Sequence, residues 1–222
     1  MKKIFISLSV LALCFASCKE NNTETKETTD KSVVADSLAA DSLRAEKEMP
    51  EEPMDSVAMQ KAWEAYMTPS DVHKMLAEEV GSWTNEMTFW MVPNGEPTKA
   101  TSTAEIKMIL GGRYQQTNYQ GDMMGMPFEG MATVAYDNST KEIISTWIDN
   151  MGTGMLVLRG KYDGTGKTIT TTGSMVDPIT GKEIKVREVY TIVDDNTRKM
   201  EMFYTEKNGE EYKSMEIIMT RK

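Results

Sequence analysis

From Ser82 to the C-terminus the apolar residues recur with a period of two, interrupted at short intervals by turn signals. This pattern restricts the fold more than any other feature of the chain. Trp83, Met87, Phe89 and Met91 alternate with Thr84, Glu86 and Thr88, although Asn85 breaks the apolar face and Trp90 the polar one. Pro93-Asn94-Gly95 then turns the chain. Further runs cover 98–110, 113–120, 128–136, 142–149, 154–162, 168–176, 184–193, 198–206 and 212–221. Between them stand Gly111-Gly112, Asp137-Asn138, Asp163-Gly164, Asp177 to Gly181, Asp194-Asp195-Asn196 and Asn208-Gly209, all with turn chemistry. No helical run of useful length separates these strands. An all-β, closed, antiparallel up-and-down barrel of about ten strands is the expected solution, because closure removes the exposed edges. Gly81-x-Trp83 opens the first strand and Arg221 ends the last, which places an early Trp and a late Arg where they can fasten the barrel.

The segment before the barrel divides into three. Met1-Lys2-Lys3 is a basic n-region, and residues 4–15 form an apolar stretch too short to span a bilayer. The stretch ends in Phe15-Ala16-Ser17-Cys18, which resembles a bacterial lipobox with Phe in place of the usual Leu. Residues 1–17 are therefore expected to be a lipoprotein signal peptide, and Cys18 the lipidated residue. An ordinary secretory signal with an incidental Cys18 is the competing reading. Lys19 after the cysteine resembles an outer-membrane destination, in the periplasm or at the cell surface. Residues 18–56 form an acidic tether without aromatic residues, which cannot bury enough apolar surface to order itself. Residues 57–80 make a helical preface to the barrel at 81–222. Trp63, Tyr66 and Met67 are spaced to lay one helical face on a core. Thr68-Pro69-Ser70-Asp71 reads as a second helix start, capped by Thr68 and ended by Gly81, with Val72, Met75, Leu76 and Val80 on one face.

Composition narrows the function. A net charge of -9 argues against a nucleic-acid partner. There is one histidine, His73, and both cysteines, Cys14 and Cys18, precede the folded part. His clusters, thiol nucleophiles and disulfides are thereby excluded from the barrel. His73 is read as a packing or helix-surface residue, with haem or metal ligation as the competing role. No catalytic residue and no cofactor is assigned. Asp149 with Glu129 or Glu188 could form an acid/base pair, but no spacing requires one.

Two connections, 121–130 and 149–155, are rich in Gly and Met and emerge at the same rim if strands alternate in direction. They predict an apolar, adaptable mouth. The competing reading is that these methionines merely cover one barrel end. Copper ligation by Met123, Met124 and Met126 is disfavoured, because methionine serves as a core residue throughout. The candidate pocket or mouth consists of Met87, Phe89, Tyr119, Met124, Met126, Phe128, Trp147, Asp149, Met151 and Glu188. Glu188 is included because it shares parity with the apolar Ile184, Val186, Tyr190 and Ile192, so it is expected to point inward.

Gly81-Ser82-Trp83 with Arg221 resembles the lipocalin and fatty-acid-binding (calycin) signature. The region from His73 onward is similar to domain-of-unknown-function family 1579, through His73-Lys74-Met75-Leu76, Ile109 to Tyr114, Gly125 to Gly130, Tyr136-Asp137-Asn138, Ser145 to Gly154 and Lys213 to Ile217. The resemblance implies a secreted or envelope protein with a lipocalin-like barrel, and it implies no activity. The functional expectation is a lipid-anchored envelope protein that binds a small apolar or amphipathic molecule. A filled barrel acting through its surface is the alternative, and an enzyme using rim carboxylates a third.

Overall fold

The computed structural model describes residues 55–205 and 209–222. The expected signal segment, Cys18 and all but the end of the tether lie outside the described residues. Two helices, α1 (Ser56–Met67) and α2 (Asp71–Ala77), precede ten strands. These are β1 (Gly81–Phe89), β2 (Thr98–Ile109), β3 (Tyr114–Met123), β4 (Met126–Asp137), β5 (Glu142–Asp149), β6 (Leu156–Lys161), β7 (Thr168–Val176), β8 (Glu183–Asp194), β9 (Thr197–Thr205) and β10 (Glu211–Arg221). Each strand pairs antiparallel with its neighbours in sequence, and β1 pairs with β10, so the sheet is a closed up-and-down barrel. The closing ladder runs from Trp83↔Arg221 to Phe89↔Met215.

Alternation along the strands sorts the side chains. Trp83, Asn85 and Met87 of β1, Ser102, Ala104 and Ile106 of β2, and Ile217 and Met219 of β10 are buried. The wall is pinched between β6 and β7, where Gly160 and Gly173 face each other's strands. A Cβ on Gly160 would lie 2.0 Å from the Thr170 carbonyl oxygen, and one on Gly173 2.3 Å from that of Val157. A bulge between Lys213 and Met215 turns both Ser214 and Met215 toward the inside, with the Ser214 hydroxyl donating to the Met202 carbonyl.

Five local expectations need correction. Thr68 does not cap the second helix; it ends the first, its hydroxyl donating to the Glu64 carbonyl at 2.6 Å. Ser70 is the cap of α2, in a capping box completed by His73, whose Nδ1 accepts the Ser70 N–H at 3.0 Å. The helix stops at Ala77 rather than at Gly81, so Val80 is exposed and Glu79 is buried in its place. The face of α1 does not lie on the core, since Trp63 is 61% exposed and no α1 residue is buried. Finally, Met91 falls beyond β1 and is exposed, and the long connection expected over 121–130 is a two-residue hairpin. Met124 and Gly125 supply its positive φ angles of 56° and 82°, and Gly125 donates to the Asp122 carboxylate.

Candidate binding site in the barrel lumen

One end of the barrel is sealed by the turn after α2. The Glu79 carboxylate enters that end and accepts from Arg198 Nε at 2.8 Å, from the Tyr190 hydroxyl at 2.8 Å and from Gln115 Nε2 at 2.9 Å. Gln115 also donates to the Leu76 carbonyl, and Arg198 Nη1 to those of Asp194 and Thr197. Trp83 is wholly buried beside this network and donates its indole N–H to the Glu79 carbonyl at 2.8 Å. Two guanidinium groups lie over its ring, that of Arg221 at 4.4 Å and that of Arg198 at 5.3 Å. Arg221 then reaches the carbonyls of Val80 and Glu78, fixing the start of the first strand to the end of the last. The close pairing of Gly81, Trp83 and Arg221 makes this a structural plug.

His73 belongs to the same end. Its ring is buried edge-on to Tyr136, with centroids 5.8 Å apart, while Nδ1 is occupied by Ser70. Burial, helped by the nearby Arg113 charge, holds its pKa below the ordinary value, against a hydrogen bond with the Tyr136 backbone. This is a helix-capping histidine.

Beyond the plug the inner face changes character. Phe128 and Trp147 stack with centroids 6.2 Å apart, and Tyr119 meets the Trp147 edge at 5.2 Å. Trp147 lies where Gly130 has no side chain; a Cβ there would sit 2.6 Å from the indole. Met87, Phe89, Met123, Met200 and Met215 continue the surface on β1, β3, β9 and β10. Thr171 on β7 is in register with Glu188 on β8. Burial alone pushes the Glu188 carboxyl up to about 7, and no described residue gives it a hydrogen bond or an ion pair. Tyr119 is raised well above the usual phenol range by burial, with the Glu188 and Glu79 charges adding to it. The Thr171 hydroxyl and the Asn85 amide oxygen are buried without a partner among the described residues.

These inner groups are deep but not all sealed. Val186 on β8 is 2% exposed, so the strand backbone there contributes almost nothing. Glu188 and Tyr190, the next two inward positions, nevertheless keep accessible surface, as do Tyr119, Trp147, Met200 and Met215. These residues share the inward strand parity of the buried Thr117, Ile143, Val186, Met202 and Ile217. Two grooves of about 360 and 410 Å³ lie in the wall itself, over β7–β9 and β3–β5. They are shallow and open, and lack the enclosed apolar surface of a small-molecule site.

The opposite end is the rim predicted from the methionine-rich connections. Met124, Met126 and Met151 are exposed there, together with Met91, Val92, Met155, Val176 and Ile179 on neighbouring connections. Asp149 is occupied on both oxygens. It accepts the Trp147 indole N–H at 2.7 Å and the N–H groups of Met151 and Gly152 at 2.9 and 3.1 Å. It orients the tryptophan and caps the loop, so it is not paired with Glu129 or Glu188. Of the ten residues expected at a pocket or mouth, seven lie on inward strand positions or beside Trp147, and the three methionines Met124, Met126 and Met151 lie at the rim. Glu79, Arg198, Gly130 and Thr171 were not anticipated. Arg198 carried a usable signal, since it shares parity with Met200 and Met202.

Comparison with one solved structure supports the architecture. Rv2717c from M. tuberculosis, known from a crystal structure, superposes with a TM-score of 0.52 at 15% identity, covering 70% of this chain and 99% of its own. A redesigned beta barrel, b11L5F_LGL, gives a TM-score of 0.37 at 12% identity over 66% of this chain and 94% of its own. At 15% identity the likeness to Rv2717c concerns the fold alone, and the redesigned barrel carries no argument. No curated protein matches the sequence. Residues 68–221, from the end of α1 to the arginine that fastens the barrel, match the family described as "Protein of unknown function (DUF1579)", and the chain belongs to that family.

Proposed function

We propose that this protein binds a small amphipathic molecule in the lumen of its barrel. One observation carries the reading: at inward strand positions of a closed barrel, Tyr119, Trp147, Glu188, Met200 and Met215 keep accessible surface that no described residue covers. Inner residues of a filled barrel are sealed, as Trp83, Leu158 and Val186 are here. The ligand's apolar body lies on the methionines and the Phe128–Trp147 pair, which adapt and stack respectively. It passes through the rim formed by Met124, Met126 and Met151. The N-terminal residues 1–18 support placing this barrel in the cell envelope on a lipidated Cys18, with residues 18–56 as its spacer.

The test is native mass spectrometry of the full-length protein purified from its own host, before and after organic extraction. A bound mass that disappears on extraction is the expected result. A clean apo mass, unchanged by a panel of alkyl amphiphiles, overturns the reading in favour of a barrel that acts through its outer surface.

A further inference from the structure

The lumen carries a specific charge arrangement. Among the described strand residues with inward parity, the bases are Arg198 and Arg221. Both are held at the sealed end, Arg198 by Glu79 and Arg221 by backbone carbonyls. The inward acids outside that network are Asp149, which is fully engaged at the rim, and Glu188, which is engaged by nothing described. Beside Glu188 stands the Thr171 hydroxyl, on a residue only 3% exposed and without a partner. The Tyr119–Trp147–Phe128 aromatic group lies on inward positions of β3, β4 and β5, and the Glu188 charge acts on Tyr119. A buried hydroxyl left unsatisfied is costly, and the Glu188 carboxyl beside it keeps accessible surface without a described partner, so a donor from outside the chain would satisfy both. A carboxylate or phosphate headgroup would meet an acid and no free base. A protonated amine would meet a carboxylate, a hydroxyl oxygen and the faces or edges of aromatic rings, the combination that recognises organic cations.

Resting on the reading of the lumen as a binding site, we infer that its ligand is an organic ammonium cation with an apolar tail. The nitrogen is held by Glu188 and Thr171 beside Tyr119, and the tail extends past Trp147 toward the methionine rim.

The groups that face Glu188 leave its charge as the one that titrates near neutrality. In register on β7 and β9 are Thr171 and Met202, which carry no charge. On β8 Tyr190 donates to Glu79, and its pKa lies well above the usual value, mainly through burial; Tyr119 is likewise raised. Glu79 is paired with Arg198. Cation binding therefore follows the ionised fraction of Glu188, strong above about pH 7 and weak below it.

The experiment is isothermal titration calorimetry of the full-length protein with three probes of equal chain length: decylamine, decanol and decanoate. At about pH 8.5, decylamine is expected to bind at least about tenfold more tightly than either of the others. At about pH 5.5, where decylamine is still protonated and Glu188 is not ionised, that margin over decanol is expected to vanish. Glu188→Gln should remove the margin at both pH values while decanol still binds, and Thr171→Val should reduce it severalfold. Equal affinity for all three probes, or a preference for decanoate, overturns the ammonium assignment and leaves the lumen reading standing. Binding of none of the three overturns both.

Discussion

Two glutamates inside this barrel show how differently a fold treats the same side chain. Glu79 is buried and satisfied by an arginine, a tyrosine and a glutamine. Glu188 sits at an inward position, partly accessible, and is satisfied by nothing described. Replacing each by glutamine should therefore give effects of opposite sign. Glu79→Gln leaves the Arg198 guanidinium uncompensated where its side chain is 4% exposed, and is expected to cost about 3–5 kcal/mol. For Glu188 the folded carboxyl holds its proton to about pH 7, against 4.5 without burial. Stability from the neutral form is thus complete below about pH 4.5 and is lost as pH rises through about 7. The full loss is about 3 kcal/mol to order of magnitude. Glu188→Gln removes it, so the variant should match the wild type near pH 4.5 and exceed it by up to about 3 kcal/mol near pH 8. Urea unfolding of both proteins at the two pH values measures this directly. A Glu188→Gln variant less stable than wild type at the higher pH would mean that the carboxylate has a partner.

At the scale of elements, α1 is the one that the barrel holds most lightly. It buries no side chain, and its described hydrogen bonds to the barrel come from a single group. Asn138 Nδ2, in the β4–β5 turn, donates to the carbonyls of Ala65, Tyr66 and Thr68 at 3.3, 3.1 and 2.8 Å. Asn138→Ala should release the helix. Hydrogen exchange of its amides is expected to rise toward that of an isolated short helix, while the strand amides stay protected. The family match, which begins at residue 68, is consistent with α1 being an addition to the barrel. The contrast between α1 and the strands also explains what the sequence made legible. The strands could be placed because burial on one face imposes period two, and because Asp-Gly, Asn-Gly and Asp-Asn mark their ends. Helix contacts could not be read the same way. An apolar spacing such as Trp63, Tyr66 and Met67 states that a face exists, not that anything covers it. The same limit applied to the site. Inward Glu188 and Trp147 were visible by parity, whereas Glu79 enters the barrel from a turn, which has no parity to read. Gly130 was hidden because its role is the absence of a side chain beneath Trp147, a contact between strands that only the register of β4 and β5 reveals.

For the molecule as a whole, the β1–β10 seam decides whether ten strands make a barrel or an open sheet. Every other ladder joins strands adjacent in sequence, so it can form as a hairpin. The seam joins residues as far apart as Val80 and Arg221, 141 positions, and its loop-closure cost must be met before its contacts form. Its last pair, Trp83↔Arg221, is also where the plug is fixed. Removing the arginine side chain should therefore act mainly after the hairpins have assembled. Arg221→Ala forfeits the cation–π contact with Trp83 and two hydrogen bonds to backbone carbonyls, together about 2–3 kcal/mol. If the seam closes late, that loss falls on the unfolding rate, with the folding rate nearly unchanged. Stopped-flow folding and unfolding of the variant in urea separates the two cases: a steep rise in the unfolding arm places closure after the transition state, and a matching fall in the folding arm places the seam in the nucleus. The late-closing case carries a further consequence. A chain with hairpins formed and the seam open exposes the edges of β1 and β10, which closure exists to remove, so Arg221→Ala should also aggregate at protein concentrations the wild type tolerates.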